Sequence, residues 1–267
     1  MQSVLLKQFA AKYILAAMMA WVPLGNHYER DAAGHFLRTA LGFVQEDQQK
    51  VRERYEQTAS DIVDIAFDPG NPAIFAGTDG RLKTALQLAA LASFEGGFND
   101  WVDDGSCNTP EFQKHAKAQH RVECDGGAAF SIWQIHPEAG YIIKDGELTL
   151  ARYVPREYVA AHADDVVTGP KLVAQRRLAA LVAYYLVRYS EHRFHTLCSY
   201  TGENCMGAHP LALQRANRAK DYLAHHPFDP PPDEVSRIPA GGSAGSERFM
   251  AAVAEALGNV GPLRSED

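Results

Sequence analysis

The chain has 267 residues, 46% hydrophobic and 22% charged, an ordinary balance for one large folded domain or two small ones. A formal net charge of -7 argues against a general nucleic-acid binder. No stretch combines the length and freedom from charge expected of a stable membrane span, and most apolar residues recur at helical spacing, so a mainly α fold is expected.

In chain order, Lys7 and Lys12 precede the apolar run YILAAMMAWV at 13–22, which has the outline of a signal-peptide core. Trp21 and Pro23 spoil the cleavage pattern after it, while Phe9, Tyr13, Ala17 and Trp21 repeat at i+4. A packed helix is expected here rather than a leader. Pro23-Leu24-Gly25-Asn26 signals a turn. From about 29 to 67, Phe36, Ala40, Val44, Val51, Tyr55, Ala59, Ile62 and Ala66 recur at near-helical spacing, interrupted by the polar 46–50. One long helix or two shorter ones are expected. Asp68-Pro69-Gly70-Asn71-Pro72 breaks the chain, and Asp79 is placed to cap the next helix.

That next helix, within LKTALQLAALASFEGGFNDWVDD at 82–104, is apolar on nearly every face and belongs in a core. It delivers one acid, Glu95, followed by two glycines, either of which can take the left-handed conformation that ends a helix. Apolar surroundings and the negative end of the helix both favour the protonated acid, the form a proton donor needs. The bland alternative is a helix-end glutamate reaching solvent.

Residues 99–125 are polar, but Asp100, Asp103 and Asp104 are too unevenly spaced for a calcium loop, and its terminal glutamate is missing. Cys107 and Cys124 form one local pair and Cys198 and Cys205 another, suited to two disulfides outside a reducing compartment or to free thiols. In CDGGAAFSIWQIHP at 124–137, Ser131 and Gln134 sit among apolar residues; Gln134 could serve a sugar or amide, or satisfy a buried turn. A small irregular or hairpin region is expected between 100 and 155, and a short helix after Pro155. Tyr141 and Tyr153 could stack on sugar rings or simply pack. Thr168 and Pro170 open a strong helix to about Ser190, with Leu172, Val173, Leu178, Leu181, Val182, Tyr185, Leu186 and Tyr189 inward. His192, His195, Cys198, Cys205 and His209 raise a zinc site, but their spacing lacks a paired-finger pattern, and no metal or other cofactor is expected. Pro210 opens a helix to about His225, with Leu213, Ala216, Tyr222 and Leu223 inward. The Pro- and Gly-rich stretch from 226 reads as a linker or strap, leading to a short docking helix at 246–257.

Three segments stand in the order found in soluble-type lytic transglycosylases and goose-type lysozymes. LASFEGGF resembles the helix end that carries the catalytic glutamate, with Gly96 where that family usually has serine. GAAFSIWQI resembles its Gly-Leu-Met-Gln segment, and CSYTGEN its Tyr-Asn-Ala-Gly segment, with Tyr200 at the tyrosine and Thr201 departing from the pattern. The resemblance spans roughly 80–225 and extends to muramidase-like proteins of tailed-phage virions. It implies a lysozyme-like catalytic domain at 80–225, an N-terminal helical extension at 1–79 packed on it, and the linker with its docking helix at 226–267. It further implies cleavage of the β-1,4 bond of peptidoglycan, with Glu95 as general acid and base and Ser131, Gln134 and Tyr200 lining the glycan groove. A transglycosylase would give 1,6-anhydro products, and a lysozyme water-added ones. The third possibility is a degenerate structural component. The setting implied is a phage virion acting on the host cell wall or, alternatively, the bacterial periplasm, with glycan strands and virion or envelope proteins as partners and no nucleic acid.

Overall fold

The structure is a computed structural model that describes residues 2–77, 79–137, 140–145 and 147–228. It is mainly helical, with two small two-stranded sheets. The helices are α1 (Gln2–Trp21), α2 (Gln48–Ala66), α3 (Gly80–Glu95), α4 (Asp100–Asp103), α5 (Pro110–Ala118), α6 (Cys124–Gly127), α7 (Arg156–Ala161), α8 (Gly169–Ala174), α9 (Arg176–Phe194) and α10 (Pro210–His225). The antiparallel strands are β1 (Arg38–Thr39) with β2 (Gly42–Phe43), and β3 (Tyr141–Lys144) with β4 (Glu147–Leu150), the latter pair in the register Tyr141↔Leu150.

Everything is arranged around α3. Its sequence is apolar on all sides because α1, α2, α9 and α10 all pack against it. Leu82, Leu86, Leu88 and Leu91 and four alanines, Ala85, Ala89, Ala90 and Ala92, are buried, and the small side chains let neighbouring helices come close. Arg81 anchors the start of α3, its Nη1 donating to the carbonyls of Ala66, Asp68 and Asn71 at 2.7–3.0 Å. Contrary to the expectation from sequence, the Asp79 side chain does not cap α3; its carboxylate pairs with Lys83 at 2.9 Å, one turn on.

The stretch 28–45 corrects the expectation of a helix. Bridges join Tyr28 to Gln45 and Arg30 to Phe36, and β1 and β2 continue the ladder. The Asp31 carboxylate accepts from the backbone N–H groups of Ala33 and His35, and Gly34 takes φ +79°, so the chain turns instead of coiling. Phe36 and Phe43, seven apart in sequence, meet across the ladder at 5.4 Å. The four-residue repeat of Phe36, Ala40 and Val44, which suggests a helix face, is overridden by this ladder. Asp47 then caps α2 through Lys50 N at 3.0 Å, and Val51, Tyr55, Ala59, Ile62 and Ala66 are buried as the sequence pattern requires.

Val4–Trp21 of α1 meets the length and composition of a membrane span, contrary to expectation. In the fold, its Ala10, Tyr13, Ile14, Ala17 and Met18 are buried against α2 and α3. One continuous core runs from Ala10 to Tyr222, so segments 1–79 and 80–225 share it.

The helix expected over 170–190 is two. Thr168 caps α8 through Lys171 N, the chain leaves helical conformation at Gln175, and α9 runs on to Phe194. Its buried row is Ala179, Ala180, Val182, Ala183, Tyr184 and Val187; Leu178, Leu181 and Leu186 are half-buried and Tyr189 is exposed. In α10, likewise, Ala212, Ala219 and Tyr222 are buried while Leu213 is exposed. Phe228, the last described residue, packs edge-on against Tyr13 at 5.2 Å. The docking helix expected at 246–257 lies outside the described residues.

Candidate functional site

Glu95 is the last residue of α3. Gly96 continues in right-handed backbone, and Gly97 takes φ +58°, turning the chain away so that the carboxylate stands at a surface. Against this end lies the turn Ser131-Ile132-Trp133-Gln134. Phe130 and Ile135 close it with two backbone hydrogen bonds of 2.9 Å, and Ser131 and Gln134 take φ +64° and +49°. Such backbone costs energy in residues with side chains and persists where the surroundings hold it. Trp133 supplies the hold: its ring is fully buried and its indole N–H donates to Leu88 O of α3 at 3.0 Å. The fit is close enough that a Cβ on residue 96 would stand 2.7 Å from Ile132 Cα, which accounts for glycine at this position.

The third wall is the loop closed by the Cys198–Cys205 disulfide. Tyr200 rises from it and donates its hydroxyl to Trp133 O at 2.7 Å. Burial pushes this phenol well above 10, and the negative charge of Glu95 adds to that while Arg215 opposes it. Tyr200 is therefore a neutral donor. The other disulfide, Cys107–Cys124, holds the turn that carries Asp125, and Asn108 Nδ2 steadies that turn through Gly127 O and Ala129 O. Asp125 takes φ +46° and pairs with His136 Nε2 at 2.7 Å.

These parts enclose a cleft of about 760 Å³ lined by Glu95, Asp125, Gln134, Tyr200 and Arg215, with β3, β4 and α9 on the far side. A second, smaller cleft of about 330 Å³ lies beside it, and Glu95, Asp125 and Gln134 line both. The acid stands where the two clefts meet.

Glu95, Gln134 and Tyr200 are thus brought together, as expected. Ser131 is not: it is 2% exposed, and its Oγ accepts from Trp133 N inside the turn while its carbonyl accepts from Gln134. Its role is to shape the turn. Of the four aspartates near Glu95 in sequence, Asp100 pairs with Arg54, Asp103 with Arg176, and Asp104 accepts from Ser106 N. Only Asp125 lines the clefts with Glu95. Tyr141 and Tyr153 both line the larger cleft.

The surroundings of Glu95 differ from the apolar ones expected. Arg215 of α10 places Nε 2.5 Å from Oε1, with the carboxylate side chain 20% exposed and the arginine 11%. α10 lies across α3, and its buried face of Ala212 and Ala219 sets Arg215 and Arg218 over the helix end, where Arg218 stacks on Phe94 at 3.6 Å and donates to Ser93 Oγ. Two arginines three apart beside a small-residue face were the available signal for this contact. Glu203 was also missed: it accepts from Leu211 N, Ala212 N and Thr201 Oγ1 at 2.7–2.9 Å and fastens the start of α10.

The chain matches no family model, no curated protein and no solved structure.

Among the described residues no group of three or more His, Cys, Asp or Glu could hold a metal ion. The zinc set at 192–209 loses both thiolates to the Cys198–Cys205 disulfide. The cleft is left with Glu95 paired with Arg215, Asp125 paired with His136, and the neutral phenol of Tyr200.

Proposed function

We propose that the protein is a peptidoglycan-cleaving glycosidase with a lysozyme-like domain in which Glu95 is the general acid and base. The observation that carries this reading is the position of Glu95 at the junction of two clefts, with Gln134 and Tyr200 in the same walls. Cleavage of a glycoside needs a proton on the leaving oxygen as positive charge develops on the sugar ring. Glu95 supplies it once released from Arg215. Gln134, with amide donors and acceptor at the junction, orients the sugar's N-acetyl or hydroxyl groups. Tyr200 fixes the wall by bonding to Trp133 O. In the transglycosylase reading, the substrate's N-acetyl group assists and its 6-hydroxyl closes the 1,6-anhydro ring as Glu95 takes back the proton. The two disulfides suit work outside a reducing cytosol, at the cell wall or in the periplasm, whether the chain is borne by a phage virion or by a bacterium.

Asp125 favours a second reading, hydrolysis, because a carboxylate facing the same clefts could activate water. Mass spectrometry of the products separates the two: anhydro ends mean transglycosylase, and reducing ends mean lysozyme. The test of the shared claim is Glu95→Gln, which should keep the fold and clear no zone in a gel containing cell walls. Clearing by that variant at the wild-type rate would overturn the assignment.

A further inference from the structure

The cleft is lined by two arginines and two carboxylates, and one of the arginines is paired with neither acid. Its charged lining residues are Glu95, Asp125, His136, Arg152 and Arg215. Asp125 is paired with His136 and Glu95 with Arg215. Arg152 is exposed and lies over the Tyr153 ring at 5.0 Å; among the described residues it makes no ion pair. A guanidinium that lines a cleft and lacks a carboxylate partner is matched by an anionic group on a ligand.

Arg215 raises a second question. A proton donor must carry a proton when substrate arrives, yet Oε1 of Glu95 is occupied by the Nε–H of Arg215 at 2.5 Å. The same guanidinium reaches Leu211 O through Nη1 at 3.3 Å and has the Phe94 ring at 5.2 Å, and among the described residues the carboxylate it pairs with is that of Glu95. Moving the cation away frees that oxygen as well as Oε2 for the proton and the substrate. A neutral sugar offers only hydroxyl and amide oxygens, which hold a guanidinium less strongly than a carboxylate does. A carboxylate can compete on equal terms.

We propose that Arg215 reads a carboxylate carried by the glycan, and that its transfer from Glu95 to that carboxylate is what frees the acid. The cleft then selects glycans bearing carboxylates over uncharged ones. This rests on the function proposed above and assigns it a substrate class. In the exchange Arg215 remains protonated throughout; the released Glu95 takes a proton from solvent and later gives it to the glycosidic oxygen. Arg152 is a second anchor for the same anionic appendage. Two appendages of peptidoglycan carry the required chemistry: the peptide stem, and the lactyl group exposed when the stem is removed.

The test compares the full chain on three preparations: soluble peptidoglycan strands, the same strands with every carboxylate capped as a methylamide, and strands stripped of their peptides. Capping should lower wild-type kcat/KM roughly tenfold to a hundredfold, the span of one charge-assisted hydrogen bond, with kcat carrying most of the loss. In Arg215→Gln the ratio between intact and capped strands should collapse towards one, while Arg215→Lys should keep part of it. Stripped strands cleaved as fast as intact ones show that the exposed lactyl carboxylate serves as well as the stem's; stripped strands cleaved as slowly as capped ones assign the contact to the stem alone. Equal wild-type cleavage of intact and capped strands, or undiminished selectivity in Arg215→Gln, would overturn the proposal while leaving the glycosidase reading in place. Absence of wild-type turnover on all three would overturn both.

Discussion

In a Gly96→Ala variant the new methyl carbon would stand 2.7 Å from both Ile132 Cα and Ile132 O. Both are backbone atoms, so no side chain can swing aside. The backbone at Gly96 (φ -110°, ψ -16°) is open to any residue, and at such positions alanine ordinarily stabilises by about 0.4–1 kcal/mol through the unfolded chain. Here the methyl must push the turn 131–134 outward by about 0.7 Å to reach ordinary contact, against the buried Trp133 and its bond to Leu88 O. Overpacking of this kind costs about 1–3 kcal/mol, which leaves a net loss of about 1–2 kcal/mol and a Tm lower by about 2–8 °C for a chain of this size. Gly25→Ala is the control, since its nearest atom beyond its chain neighbours is Gln45 Nε2 at 3.9 Å. Urea unfolding followed by far-ultraviolet circular dichroism compares the variants with wild type. A Gly96→Ala protein as stable as wild type, or more so, would refute the close packing of the turn on the end of α3.

Glu203 should make the protein acid-sensitive. Burial acts upward on its carboxyl, but hydrogen bonds from Leu211, Ala212 and Thr201 outweigh it and hold the group below its ordinary value. A depressed carboxyl contributes stability above the unfolded value near 4.5, and that contribution is lost as pH falls through the folded value. Glu203→Gln should lower Tm at pH 7 and flatten its fall below about pH 4, measured by calorimetry. His27, fully buried beside the Tyr55 hydroxyl at 2.7 Å, is pushed down to about 4 by burial, then by the charge of Arg54, against a hydrogen bond with Asn99. The unfolded chain binds the proton first, so stability is full above about 6.5 and falls by about 3 kcal/mol as pH drops to 4. Burial raises the neighbouring Glu46, whose contribution runs the other way and is lost as pH rises. Stability curves of His27→Gln and wild type should therefore diverge between pH 6.5 and 4, and parallel curves would count against a neutral buried imidazole.

The parts of the site legible in the sequence were those fixed by local pattern. An all-apolar helix ending in Glu-Gly-Gly needed no tertiary knowledge to be placed in a core with its acid at an end. The local cysteine pairs and the Thr168 and Pro210 helix starts were likewise local. What failed depended on partners far away in the chain. Phe36, Ala40 and Val44 repeat at four, yet the Asp31 and Gly34 turn folds that stretch onto itself. The leucines of α9 mark an amphipathic helix, but small residues face the core because α2 and α3 come close there. Arg215 could not be assigned to Glu95 without knowing how α10 crosses α3. For the same reason the sequence put Glu95 in apolar company, and Ser131 in a groove that its own buried side chain does not reach.

The Glu95–Arg215 pair joins residues 120 positions apart. A ribosome adding roughly 5–20 residues per second takes about 6–24 s to travel that distance. Throughout that interval the nascent chain carries the acid and lacks the cation that engages it. The helix bearing that cation is the last one described, and Glu203, which fastens its start, is translated only just before it. A chain stopped before Arg215 therefore carries Glu95 without its ion pair, and one that extends through α10 carries the pair complete.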